Sequence, residues 1–387
     1  MLPLAGCEPS LDDGLFNPCL DARLPPEITG HALWRRVWEG IEPALCWDGH
    51  VHVAGEGDSG QGLWINPRML SWLHPGDWAR RRGILNASCS DPARTDASFL
   101  ERLAALHAAL PPGGKSLLLA FDWFHDAQGR KVEAASFFHV PNPYARAAAA
   151  ARPEVFEWIA SIHPYRPDAV EALHVAAAQG ARGVKWLPQA MGMDPASPRC
   201  APFYDAMARL RLPLLTHAGD EHAVPSADLQ PLGDPRRLEA ALGRGVRVVV
   251  AHCASLGAGE HGSHFQAFAR LMDQSASQGL LFGEISAVIQ NNRSLDVVRE
   301  IVGRAQGPWR GRLLNASDYP LPGSPVIIGP GRYVAQGWLT AGEAEWLKLA
   351  RRHHPLLFDF ALKRLLRIEG QALPPEVFHT RPFWQTA

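Results

Sequence analysis

The 387-residue sequence has no run of about 18 apolar residues, so no segment reads as a spanning helix. It has no charge imbalance either. Its 38 lysines and arginines face 39 aspartates and glutamates, for a formal net charge of −1. That leaves no overall field for binding nucleic acid or for a polybasic membrane surface. There is no CxxC. The six cysteines (Cys7, Cys19, Cys46, Cys89, Cys200, Cys253) are scattered, and a disulfide framework is not expected in a chain this long. Cys46 and Cys253 lie in apolar, strand-like runs and read as buried thiols. GxGxxG spacing is missing too. The glycine-rich stretch from Ala54 to Gly62 opens no clear helix, so it reads as an active-site lid rather than a phosphate cradle. Beyond it, Trp64, Met69, Leu70, Trp72 and Leu73 predict a segment that folds back onto the body.

What the sequence does have is alternation. Residues 1–43 are rich in proline, aspartate and glycine, with one helix over His31–Glu39, and read as an N-terminal arm packed on the main body. From residue 44 onward, apolar strands alternate with helices. Strands are expected at 44–53, 116–122, 155–162, 183–187, 212–217, 246–252, 280–284 and 312–315. Helices are expected between them, at 96–110, 144–152, 167–179, 203–211, 235–242, 263–277 and 295–303. Two more close the chain at 341–351 and 356–368. Strands apolar throughout imply a parallel sheet covered on both faces. Eight strand–helix units over about 270 residues fit an α/β (β/α)8 TIM barrel, usually of about 250 residues. The expected division is an arm (1–43) and a barrel with C-terminal helices (44–387). An open doubly wound sheet is the alternative, and eight strands is high for it.

The strand ends carry the chemistry. His50 and His52 close the first strand with one residue between them, so both project from the same face. Asp122, His163, Lys185, His217, His252, Glu284 and Asp318 follow later strands. In a barrel all these ends face one mouth. Imidazole and carboxylate suit zinc and its neighbours, and a catalytic zinc site takes about three protein ligands and an open position. Such an ion brings the pKa of its water to roughly 7. Asp318 can bind the ion and accept the water's proton, and His252 is the second catalytic group, as proton donor or ligand. A lone histidine after a strand is most often structural. Histidines after strands one, five and six with an aspartate after strand eight make a set.

Asp48-Gly49-His50-Val51-His52, Gly183-Val184-Lys185-Trp186, Leu215-Thr216-His217-Ala218-Gly219, Val250-Ala251-His252-Cys253 and Ala316-Ser317-Asp318-Tyr319-Pro320 together resemble the amidohydrolase superfamily. They are most similar to its decarboxylase-like branch of single-metal hydrolases and decarboxylases. The segment His354-Pro355-Leu356-Leu357-Phe358-Asp359 is similar to the closing helix of that branch. The resemblance covers roughly residues 44–368. It implies a barrel with one or two divalent ions, zinc first, on His50, His52, His217 and Asp318. It also implies His252 for metal or catalysis. Lys185 is ambiguous: a carbamylated bridge between two ions, or a free lysine paired with Asp122 or Glu284. The implied reaction is hydrolysis of an amide, ester or lactone of a small molecule. The alternative is non-oxidative decarboxylation of an aromatic or unsaturated acid.

On the substrate side the sequence offers His163 and Arg166 after strand three, Trp186 and Tyr319 as walls, and Glu221 after strand five. Each has a plain alternative as a structural or solvated loop residue. A homodimer is expected by analogy with barrels of this group. The location reads as cytoplasmic as written. Leu4-Ala5-Gly6-Cys7 resembles a bacterial lipoprotein cleavage box, which implies an envelope lipoprotein if the true start lies upstream.

Overall fold

The computed structural model describes residues 13–385 except 225, 226 and 261. The Cys7 box lies outside the described residues. Eight parallel strands make the body: β1 (Trp47–His52), β2 (Lys115–Leu119), β3 (Phe156–Ile159), β4 (Val184–Trp186), β5 (Leu214–His217), β6 (Val248–Ala251), β7 (Leu281–Glu284) and β8 (Leu313–Leu314). All eight coincide with runs expected from apolar patterning. β1–β2–β3 form one parallel ladder and β4 to β8 another, each strand beside its sequence neighbour. Two bridges join the ladders. Ala160 pairs with Val184, and Val51 pairs with Tyr319, where the His52 amide donates to the Tyr319 carbonyl at 2.9 Å. The ring is closed, so the open-sheet alternative falls.

Strand alternation sorts the side chains. Trp47, Leu117, Leu119, Ile159, Leu215, Val249, Ala251 and Leu314 form the interior cluster, and Trp384 from the C-terminal helix joins them. Gly49 makes room for it: a Cβ there would lie 2.5 Å from the Trp384 ring. The larger core lies between the strands and the surrounding helices.

The arm packs on the C-terminal helices Ala341–His353 and Pro355–Leu365. Arg36 pairs with Glu343 at 2.6 Å, Asp13 with Arg351 at 2.8 Å, and Arg364 donates to the Val37 carbonyl at 3.0 Å. One cysteine expectation is corrected. Cys19 and Cys89 form a disulfide with Cα atoms 5.4 Å apart, 70 residues apart in sequence. Spacing along the chain carries no signal for a partner brought close only by the arm's fold. A second correction concerns the segment after the lid loop. Met69 is buried, but Leu70, Trp72 and Leu73 are exposed. A helix over Pro75–Ser88 follows, which the sequence reading lacks; its two glycines and three consecutive arginines hide its periodicity. The lid loop itself is pinned by Asp96, whose carboxylate accepts the amides of Glu56, Gly57 and Ser59.

Two buried histidines tie the fold to pH. His354 donates from Nε2 to the Leu106 carbonyl (2.7 Å) and accepts the Leu357 amide at Nδ1 (3.0 Å). His163 does the same with the Met191 carbonyl and the Tyr165 amide. Burial pulls both down to about 3. Below the ordinary value of about 6.5 the unfolded chain takes protons that the folded chain refuses. Stability is therefore complete above that value and is lost as pH falls toward 3, by up to about 1.4 kcal/mol per pH unit for each histidine. Urea midpoints are expected to fall steadily from pH 7 to pH 5. A flat profile would refute the assignment of both groups.

Candidate metal centre

The residues at the C-terminal ends of the strands form the floor of a pocket of about 150 Å³. His50 and His52 project from β1 as the two-residue period requires. The His50 Nδ1 lies 2.8 Å from Glu284 Oε2, at the end of β7, two strands away around the ring. With the carboxylate ionised, Nδ1–H donates and the Nε2 lone pair is left facing the pocket. That Nε2 lies 3.2 Å from His52 Nε2 and 3.6 Å from Asp318 Oδ1, and His52 Nε2 is 3.2 Å from the same oxygen. Four donors around an ion at zinc distances stand about 3.3–3.5 Å from one another, the edge of the tetrahedron. With both imidazole Nε2 atoms unprotonated, these three atoms therefore fit one small cation, and their lone pairs favour a positive charge between them. Lys185 Nζ, 3.0 Å from His50 Nε2, supplies part of it.

Burial sets the electrostatics. It pulls Lys185 down to about 8, against the opposing pull of Asp318, Glu284 and Glu221. It pushes Glu284 up to about 8 and holds His50 and His252 well below the ordinary histidine value. His217 is lowered as well, burial again the main cause. A cation beside His50 Nε2 would oppose the rise at Glu284, because it makes the imidazole a stronger donor.

His252 and Asp318 sit on unusual backbone. Their φ angles are +58° and +57°, a region disfavoured for side chains larger than glycine and costing of order 1 kcal/mol or more each. The turn brings His252 Nε2 to 3.9 Å from Asp318 Oδ2. On its other side, His252 Nδ1 meets the Ser286 hydroxyl at 2.6 Å, and Ser286 lies 3.1 Å from Glu284 Oε2. One carboxylate thus anchors both imidazoles, His50 directly and His252 through Ser286. The sequence reading offered Glu284 only as a possible partner of Lys185, whereas its carboxylate meets His50 and Lys185 Nζ meets the other nitrogen of that ring; it missed Ser286. The available signal was a polar pair, Glu284 and Ser286, two residues apart after an apolar strand. Glu284→Gln is expected to weaken divalent-metal affinity about 10–100-fold, read by chelator competition. Unchanged affinity would show that the anchor is dispensable.

His217, at the end of β5, has Nδ1 3.5 Å from Glu221 Oε2, and its buried Nε2 has no hydrogen-bond partner. Its ring stands edge-on to His252 at 5.5 Å. Lys185, His217, His252, Asp318 and Glu221 all line the pocket.

The structure does not bring the other substrate-side residues there. Trp186 follows Lys185 by one position on β4, so it points away from the barrel interior. Its Nε1 donates to the Ile162 carbonyl, and its ring packs on Phe203 and Tyr204. His163 is held by backbone on both nitrogens, as above. Arg166 pairs with Asp122 at 2.9 Å and Asp168 at 2.6 Å. Tyr319 is buried against Phe99, its hydroxyl bonded to the Ser88 carbonyl. The pocket walls come instead from segments around the mouth. They are mostly apolar, among them Ile65, Met69, Ile84, Phe138, Leu187 and Leu321. The polar exceptions include Arg81, which donates from Nε and Nη2 to the two carboxylate oxygens of Glu56.

An amidohydrolase family model matches residues 117–326, more than half of the chain. A closed eight-stranded barrel with histidines and carboxylates at its mouth is the architecture of a metal-dependent enzyme class. The chain belongs to the amidohydrolase family, whose members typically hold a divalent metal. A comparison with curated protein sequences found no match. Solved structures that resemble it include an uncharacterised TIM-barrel protein from Bordetella bronchiseptica. That pair shares 18% identity over 79% of this chain and 99% of the other, with a TM-score of 0.49. Another is a Pseudomonas putida protein provisionally described as a 2-pyrone-4,6-dicarboxylic acid hydrolase (17% identity, 81% and 97% coverage, TM-score 0.44). A third is 5-carboxyvanillate decarboxylase from Sphingomonas paucimobilis (12% identity, 84% and 99% coverage, TM-score 0.46). None of these similarities bears on the reaction. Among the described residues, no helix is long and apolar enough to cross a membrane.

Proposed function

We propose that the protein is a metal-dependent hydrolase that cleaves an amide, ester or lactone bond of a small, largely apolar molecule. The observation that carries this reading is the trio of acceptors on His50, His52 and Asp318, spaced 3.2–3.6 Å apart at the floor of the pocket. These three would hold one divalent ion, zinc by donor chemistry, with His217, which lines the same pocket and whose buried Nε2 has no hydrogen-bond partner, the candidate to complete the set. When bound, such an ion supplies Lewis acidity, letting a water ionise near neutrality and polarising a carbonyl oxygen. Asp318 keeps Oδ2 free toward His252, so it can accept a proton at that oxygen. His252, oriented by Ser286, can take that proton from Asp318 at Nε2 and pass it to the leaving group. The apolar walls exclude competing water and hold the substrate's body. Lys185, lowered by burial, provides positive charge beside His50. Its carbamylation as a bridge would enlist His217 and His252 for a second ion.

A second reading is supported by the same walls. A carboxylate forced into an apolar pocket loses hydration that neutral carbon dioxide does not need, which suits non-oxidative decarboxylation. The two readings part on products. Elemental analysis of protein purified without chelators, with assays on lactones, aryl esters and hydroxybenzoates, tests both. About one ion per chain with carbonyl cleavage is the expected result. Two ions would assign the bridging role to Lys185. Carbon dioxide release without hydrolysis would replace the first reading with the second. No bound metal, and none taken up on soaking, would end both.

A further inference from the structure

The roof of the pocket has a second side. The segment from Pro67 to Ser88, comprising a short turn at Pro67–Leu70 and the helix Pro75–Ser88, puts Met69, Arg81, Ile84 and Leu85 into the pocket wall. It turns Leu70, Trp72, Leu73 and Trp78 outward, with 56%, 79%, 67% and 37% of their surface exposed. Four large apolar side chains within nine residues are a concentration that a free surface seldom carries without a partner. Among the described residues, the only other large apolar side chains so exposed are Leu15, Phe16 and Val175.

The charge around the patch chooses the partner. Residues 67–82 hold Arg68, Arg80, Arg81 and Arg82 against a single acid, Asp77, in a chain whose net charge is −1. Asp77 is buried and serves Arg68 and Arg80 at 3.2 and 3.1 Å. Arg81 turns inward to Glu56, and the Arg82 guanidinium lies 5.0 Å over the Trp78 ring. The balance over the whole chain hides this local excess. A second copy docking through the same face would set one cationic patch against another. Tryptophan and leucine flanked by arginine match the acyl–headgroup boundary of an anionic bilayer, where rings sit at headgroup depth and arginine meets lipid phosphate.

We propose that this face, centred on Leu70, Trp72, Leu73 and Trp78, docks the protein peripherally on anionic lipid surfaces. The docking sets the outer side of the pocket's roof against the bilayer. It does not depend on the reaction proposed above, so it can be tested by binding alone.

The test is flotation of the full chain with vesicles of phosphatidylcholine, with and without phosphatidylglycerol, at low and high salt. Flotation is expected with the anionic vesicles, weakened by salt and absent with phosphatidylcholine alone. The double variant Trp72→Ser/Leu73→Ser removes two exposed side chains that do not line the metal-site pocket. It should bind at least about tenfold more weakly with unchanged circular dichroism and melting. Arg82→Glu serves as an independent variant should the first one misfold, and it too should release the protein. Three results would overturn the proposal: wild-type protein that fails to float, variants that float equally well, or sedimentation showing that the face instead holds a dimer that the double variant dissociates.

Discussion

Asp318→Asn is expected to leave the barrel folded and to remove nearly all turnover, on the order of 10³-fold or more. Asparagine is the clean substitution here. Asp318 has φ +57°, and asparagine tolerates that backbone where alanine or leucine would strain it. The amide keeps the shape but loses the negative charge that faces His50 and His52 at 3.6 and 3.2 Å. It also loses the ability to accept a proton. Metal affinity should fall by more than the about 10–100-fold typical of losing a group that only orients a ligand. Kinetics, metal content and circular dichroism on one preparation separate these effects. A variant with native metal content and native rate would remove Asp318 from both roles.

Trp384→Ala is expected to cost about 3–5 kcal/mol of stability, the range for deleting a large buried aromatic side chain. The ring is fully buried at the barrel's interior cluster, against the Cβ-less Gly49. Its Nε1 has no hydrogen-bond partner, so the loss is one of packing and cavity alone. Urea denaturation should show a lower midpoint with metal ligands untouched. Trp384→Phe should recover part of the loss by refilling most of the volume. A change below about 1 kcal/mol would mean that the neighbouring side chains collapse into the space.

The barrel and its mouth were legible for a physical reason. Strands buried on both faces are written as unbroken apolar runs, and a polar residue at the end of such a run stands out. That is how His50, His52, Lys185, His217, His252 and Asp318 come into view. Trp186 shows the limit of reading position without parity. It adjoins Lys185 on β4, and residues one apart on a strand cannot share a face. The pocket walls were largely illegible. Arg81, Ile84 and Leu85 sit on a helix whose first nine residues, Pro-Gly-Asp-Trp-Ala-Arg-Arg-Arg-Gly, have no clear stripe. The Cys19–Cys89 pair was illegible because its closeness comes from the arm's path.

The closing of the ring has a kinetic consequence. β1 and the segment after β8 meet where Val51 pairs with Tyr319 and where Asp48 accepts the Ser317 amide, and that seam brings together residues nearly 270 positions apart. Two of the three best-placed metal donors, His50 and His52, stand on one side of it, and Asp318 stands on the other. A ring with contacts this distant in sequence closes late and slowly. A cation held by donors on both edges would act as a clasp, binding the closed ring and not the open chain. It would therefore slow opening at this joint before any other. Amide exchange at His52, whose N–H crosses the seam, is where that clasp would first be felt.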